Sequence, residues 1–328
     1  MRAVVSLRLA LIAVLTTASQ QSGPAGSAPP APAIDHHQHL FSPAVQKISP
    51  TLAPLDAAAL VKLLDEAGTR QAVVLSLGYQ YGNPNKPPVP DEYAAVKAEN
   101  DWTAAQIAPF ADRLLGFCGV NPLRPYALEE IARCAGIRQL RSGLKLHFGN
   151  SDVDLTNADH VKTLQRVFAA ANEHRMAIVV HLRSSVTAKR PYGAPSARAF
   201  LNDVLPSAPD VPVQIAHLAG SGGYSDPAID EALGVFVDAI ANRDPRMTRV
   251  CFDASGVIGV EKTPEKLDLI AKRIRQLGVE RVLWGSDGAL PPAYTPQKAW
   301  EAFKRLPLTG AEFTTIANNR APYMSGAR

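Results

Sequence analysis

The chain is poor in cysteine, carries no basic stripe interleaved with aromatics, and has no apolar run long enough to cross a bilayer. Each shortage removes a class of protein. Its three cysteines are odd in number and lack metal-ligand spacing, so a cysteine-based metal site is not supported. Cys118 and Cys251 fall in apolar, strand-like runs and Cys134 in a helical one, so buried free thiols are expected. A net charge of +4 is small for 328 residues, and nucleic-acid binding has no support in it. What is present is ordinary for a soluble globular protein: 46% hydrophobic and 20% charged residues. A chain of this length buries roughly three quarters of its unfolded surface, so it requires no disulfide staple.

The amino terminus reads as an export signal. Arg2 and Arg8 precede an apolar run from Leu9 to Ala18, and Thr16-Thr17-Ala18 offers small residues for a signal peptidase. The run is far shorter than the roughly 20 residues a permanent spanning helix needs. Residues 19–33, rich in Ser, Gly, Ala and Pro, have too little apolar surface to offset their ordering entropy and are expected to form a flexible linker. The expectation is therefore a signal peptide at 1–18, a linker at 19–33 and one domain at 34–328. The mature protein would be periplasmic or secreted, without stable membrane insertion. Loss of Arg2 and Arg8 takes the charge from +4 to about +2.

Beyond the linker, β-rich runs alternate with amphipathic stretches. Strands are expected at 33–39, 71–77, 114–120, 143–148, 177–182, 213–217, 250–254 and 281–286. Helices are expected at 56–67, 91–107, 160–174, 227–241 and 264–277, with Asp56, Ser225 and Thr263 as N-caps and left-handed C-caps at Gly68 and Gly278. Such alternation implies parallel strands joined by right-handed crossovers. The polar residues then decide between an open sheet and a barrel. Histidines, aspartates, Lys145 and Asn121 fall at the carboxyl ends of many strands, where a (β/α)₈ TIM barrel builds its site, rather than at one switch point. The expected fold is α/β, a single (β/α)₈ barrel.

His37 and His39, two apart in an extended strand, face one side and can share a metal ion, whereas His36 faces away and is expected to be packed or hydrogen-bonded. His181 and His217 each end an apolar strand, and Asp287 follows another, with Gly285 allowing a tight turn. A barrel brings these strand ends around one mouth.

The ordered pieces Asp35-His36-His37-Gln38-His39, Gly143-Leu144-Lys145-Leu146-His147, His181, Ala216-His217 and Trp284-Gly285-Ser286-Asp287 resemble the amidohydrolase superfamily. They are most similar to its amidohydrolase-related branch of lactone hydrolases and aminocarboxymuconate-semialdehyde-type decarboxylases, with a weaker match at Asn318-Asn319-Arg320. The resemblance implies that His37, His39, His181 and Asp287 bind one divalent metal and that His217 is a catalytic acid/base or a substrate-polarising residue. Imidazoles with a carboxylate suit Zn²⁺ or Mn²⁺ rather than Ca²⁺. Asp287 is then placed to take a proton from activated water.

Lys145 has two roles open to it. One is a carboxylated bridge between two metals, as in some relatives; the other is a free ammonium that binds a substrate anion or pairs with a carboxylate. His147 shares its face of the strand, and Arg183, two residues beyond His181, is a candidate carboxylate clamp. The glycine-rich segment 220–223 lacks the Lys-Ser/Thr ending of a P-loop and reads as a flexible loop. Three functions follow: hydrolysis of a small lactone, ester or amide by metal-activated water; non-oxidative decarboxylation of an aromatic or enol carboxylate; or an exported binding barrel without turnover. The expected partner is a small-molecule substrate, and a homo-oligomer is compatible with the sequence.

Overall fold

The computed structural model describes residues 29–259, 263–288 and 294–324. The expected signal peptide and residues 19–28 of the linker lie outside them. Among the described residues, no helix is long and apolar enough to cross a membrane.

Eight parallel strands follow one another around the sheet in chain order: β1 Ile34–Gln38, β2 Gln71–Leu75, β3 Leu114–Gly119, β4 Gly143–His147, β5 Ala177–His181, β6 Val213–Ile215, β7 Val250–Asp253 and β8 Val282–Leu283. Each lies inside a run the sequence marked as a strand. Backbone bonds from His36 N–H to the Trp284 carbonyl (3.0 Å) and from Asp287 N–H to the His37 carbonyl (2.9 Å) join the two ends of the sheet. The result is the closed (β/α)₈ barrel.

Helices pack outside it: α1 Pro43–Ile48, α2 Ala57–Glu66, α3 Glu92–Ile107, α4 Ala127–Ala135, α5 Ala158–Glu173, α6 Ala194–Ala199, α7 Pro227–Ala241, α8 Pro264–Leu277, α9 Pro296–Phe303 and α10 Gly310–Asn318. Local chemistry sets their ends. Asp56 caps α2 by accepting from Ala59 N–H at 2.8 Å, and Gly68, at φ +69°, adopts the left-handed turn beyond it. The cap of α7 is Asp226 rather than the expected Ser225; its carboxylate accepts from Ala228 N–H at 3.0 Å. Thr263 precedes α8 without a side-chain cap bond.

The two-residue alternation of the strands sorts the core. Ala72 and Val74 face the helices, while Val73 and Leu75 point inward with Ile34, Phe117, Val179 and Leu283. Ala321, Tyr323 and Met324, from beyond α10, join that interior layer. Tyr323 O–H donates to the Gln214 side-chain carbonyl, tying this layer to the polar layer above.

Expected to be a pair of free thiols, Cys118 and Cys134 instead form a disulfide, and Cys251 alone remains free and buried. The sequence shows only that each sits in an apolar run; α4 folding back on β3 is what brings the sulfurs together. A bridge closing 16 residues restricts the unfolded chain by about 3 kcal/mol on the loop-entropy estimate. Reduction, or Cys118→Ser, is expected to lower the unfolding free energy by roughly that amount in urea titrations. Equal stability with and without reductant would contradict a structural bridge.

Candidate functional site

A cavity of about 260 Å³ opens at the carboxyl ends of the strands, and His37, His39, Lys145, His147, His181, His217 and Asp287 all line it. Seven of the eight residues singled out in sequence for metal, catalysis or substrate thus meet at the barrel mouth. Donor atoms of His37, His217 and Asp287 lie within 4.8 Å of one another. His39 Nε2 is 3.6 Å from an Asp287 oxygen. His181 stacks face to face on His147, ring centroids 3.7 Å apart, and lies edge-on to His217 at 5.0 Å.

Arg183 is elsewhere. It donates to Asp226 at 2.8 Å and to the Ser184 carbonyl at 3.2 Å, its guanidinium lies 4.6 Å from the Tyr192 ring centroid, and it does not line the cavity. Strand β5 ends at His181, so the alternation that pointed Arg183 toward the mouth no longer holds two residues later.

Hydrogen bonds assign the histidine protons. A carbonyl or carboxylate can only accept, so an imidazole nitrogen facing one carries the hydrogen. His37 Nδ1 faces Asp253 at 3.0 Å, His39 Nδ1 the Leu75 carbonyl at 2.6 Å, and His217 Nδ1 the Ser255 carbonyl at 2.8 Å. All three donate from Nδ1 and present an Nε2 lone pair, the tautomer of a histidine that binds metal or accepts a proton. His36 is different. Its Nδ1 donates to the Trp284 carbonyl at 2.9 Å and its Nε2 accepts from Ala321 N–H at 3.3 Å, so both nitrogens are used in the structure.

Burial favours the neutral form of His36, His39 and His217. Burial pushes His39 down to about 3 and His36 down to about 4. Burial, reinforced by the neighbouring His37 and Lys145, lowers His217 despite the opposing pull of Asp253 and Asp287. Asp287 behaves oppositely: burial alone would raise it, but His37, His217, His39 and Lys145 hold it below the usual carboxylate range. Lys145, buried, falls to about 8 because desolvation outweighs attraction to Asp253 and Asp287. Its Nζ lies 3.1 Å from His37 Nε2. A positive charge resting on that lone pair, beside an ionised carboxylate, is what a cation-binding donor set looks like from inside, and a divalent metal fits it.

Two networks hold the donors in place, built on carboxylates that the sequence places, Asp253 at a strand end and Asp35 in the β1 motif, without giving either a role. Asp253, at the end of β7, is fully buried and accepts from His37 Nδ1, Gln214 Nε2 (2.6 Å), His217 N–H (3.0 Å) and Ser255 Oγ (2.5 Å). Burial would raise its pKa, but His37 and His217 keep it well below the ordinary range, so it is a permanent anion behind both imidazoles. Asp35, pushed up to about 6 by burial, binds Ser286 N–H at 2.9 Å, Ser286 Oγ at 2.5 Å and Gln38 Nε2 at 2.8 Å. Those contacts lock the β8 exit, and with it Asp287, to β1.

Backbone conformation matters as well. His217, Leu218 and Ala219 form a left-handed run at φ +55°, +49° and +63°, and Asp287 has φ +50°. Such residues are strained, and strain of this kind clusters at functional sites. Gly285 serves a purpose other than the expected tight turn: a Cβ there would lie 2.8 Å from His37 Cβ, so glycine is what lets β8 approach the first metal-candidate histidine.

Known proteins share this fold. The amidohydrolase family profile matches residues 34–318. No curated protein matches the chain by sequence. Among solved structures, 5-carboxyvanillate decarboxylase from Sphingomonas paucimobilis superposes with a TM-score of 0.59 at 15% identity, covering 88% of this chain and 97% of its own. A probable 2-pyrone-4,6-dicarboxylic acid hydrolase from Acinetobacter baumannii, with citric acid bound, gives 0.54 at 18% identity over 87% and 95%. A zinc-bound amidohydrolase from Burkholderia multivorans gives 0.56 at 14% identity over 87% and 96%. These likenesses are to the fold, while the profile match runs from β1 to the end of α10: the chain belongs to the amidohydrolase family.

Proposed function

We propose that this protein is a metal-dependent hydrolase that opens a small lactone, ester or amide with water activated in the cavity at the barrel mouth. The observation that carries this is the convergence of ring nitrogens of His37 and His217, and of His39 Nε2, with the ionised Asp287. His37, His39 and Asp287, with His181 beside them, would hold a divalent cation. Zn²⁺ suits this nitrogen-and-carboxylate set and Mn²⁺ is the alternative. When bound, such an ion supplies Lewis acidity and brings water deprotonation near neutral pH.

The chain's own residues then do the following. Asp287, low in pKa and in contact with the cavity, accepts a proton from the attacking water. His217 rests with Nε2 unprotonated, which suits a relay: it takes that proton from Asp287 and delivers it to the leaving oxygen or nitrogen as the bond to the carbonyl carbon breaks. Phe41, Leu52 and Leu77 make an apolar wall that limits water around the reacting group.

Decarboxylation would use the same donors, and its substrate carboxylate would need a free cation to orient it. Lys145 is the only cation among the described residues lining the cavity, and Arg183 is already held by Asp226. Metal analysis of the purified protein, followed by a screen of lactones, esters and aryl carboxylates, tests the proposal. Acid release without carbon dioxide supports hydrolysis. Carbon dioxide release would assign a decarboxylase, and tight binding without turnover a binding barrel. Asp287→Ala is expected to lower bound metal well below one equivalent, and full retention would remove Asp287 from the donor set.

We also propose that the enzyme acts after export. The basic and apolar amino terminus supports this, as does a Cys118–Cys134 bridge of the kind that forms in oxidising compartments.

A further inference from the structure

The histidine on β4 breaks the pattern of its neighbours. Asn150 N–H approaches His147 Nδ1 at 3.0 Å, and a backbone amide can only donate. His147 Nδ1 is therefore the acceptor, and the hydrogen resides on Nε2. This is the reverse of His37, His39 and His217. Its Nε2 has no hydrogen-bond partner among the described residues and the residue lines the cavity, so the N–H is available to a ligand there. The ring itself is clamped, with Tyr79 at 5.2 Å on one side and His181 at 3.7 Å on the other. It cannot turn without breaking two ring contacts and the bond from Asn150. A neutral imidazole with its hydrogen on the cavity-facing nitrogen has no lone pair to offer a metal at that atom.

We infer that His147 is a fixed hydrogen-bond donor to the substrate's carbonyl oxygen, and that with Lys145 it makes β4 the donor wall of the site. The two residues are separated by one position on β4 and so share a face. The same cavity holds acceptors, Nε2 of His37 and His39, Nε2 of His217 and the Asp287 carboxylate, with Lys145 Nζ 3.1 Å from His37 Nε2. A substrate crossing this polarised cavity places an oxygen that only accepts on the β4 side and the carbon bonded to it toward the acceptors. A lactone, ester or amide carbonyl meets that requirement, and charge that builds on its oxygen as water adds is met by Nε2–H and the ammonium. Carbonyl polarisation, one of the two roles the sequence left open for His217, belongs by this geometry to His147. The substrate class rests on the hydrolase proposal; the donor assignment does not.

Three measurements on the full chain separate the possibilities. Nitrogen chemical shifts of His147, assigned by comparison with His147→Gln, are expected to show the Nε2–H tautomer in protein without any substrate; an Nδ1–H tautomer overturns the inference. Bound metal should be unchanged in His147→Phe and His147→Gln, and loss of metal from either would make His147 a ligand instead. With a hydrolysed substrate in hand, His147→Phe, which keeps the ring stack but has no donor, is expected to lower kcat by about 10²–10³ with little change in KM. His147→Gln, whose amide reaches the position of Nε2, should recover at least about tenfold of that loss. A kcat within twofold of the parent in His147→Phe sinks the proposal. Should no acyl substrate be found, the tautomer and metal results still decide the donor assignment on their own.

Discussion

Replacing His217 with alanine is expected to leave metal bound and to reduce turnover by roughly 10²–10⁴, the range for loss of a positioned acid/base group. The expectation follows from how the ring is held. Its Nδ1 hydrogen is committed to the Ser255 carbonyl and its backbone N–H to Asp253, which leaves Nε2 without a partner among the described residues, on a ring grouped with Asp287 and His37. A side chain so constrained has one free function. The measurement pairs metal stoichiometry with steady-state rates. The same 4.8 Å grouping that supports a catalytic role also places His217 close enough to be a ligand. Coincident loss of metal and activity in His217→Ala would therefore move it into the donor set, and unchanged activity would remove it from the mechanism.

Asp253→Ala is expected to be the most damaging change outside the donor set. Removing this buried carboxylate leaves His37 Nδ1–H, Gln214 Nε2–H and His217 N–H without their acceptor, and breaking a buried charged network typically costs about 3–5 kcal/mol. Metal affinity should fall about 10–100-fold, because His37 loses the partner that fixes its tautomer and raises its basicity. Asp253→Asn distinguishes the two effects. It keeps the shape and one acceptor oxygen, so most of the stability should return while metal affinity stays low. Chelator competition and urea titration on the same preparations read both quantities. Parent-like affinity in both variants would show that the Asp253–His37 contact has no bearing on metal binding.

The barrel was legible because its signals are local. All eight strands are β-rich runs followed by helical or loop segments, and no distant contact is needed to recognise them. Short helices were harder: α1 and α6 have six residues each, too few for an apolar period to emerge. In the site, the paired β1 histidines follow from two-residue alternation. The carboxylate behind them does not, because Asp253 meets His37 across 216 positions. Arg183 was read toward the cavity on an alternation that stops at the end of β5. The disulfide depends on how α4 packs on β3, which residue types alone do not specify. Histidine tautomers are further still from the sequence, since a single backbone amide at Asn150 sets the proton of His147 opposite to that of its neighbours.

The left-handed turn after β6 ties durability to alignment. Three non-glycine residues in succession, His217, Leu218 and Ala219, hold conformations that cost on the order of 1–3 kcal/mol each. Selection for heat resistance acting on this turn alone would drift toward glycine at 218 or 219 and recover part of that energy. The released backbone would no longer dictate the bearing of the imidazole. Robustness and reactivity therefore pull these three positions in opposite directions, and a heat-tolerant relative would have to find its extra stability somewhere else in the barrel.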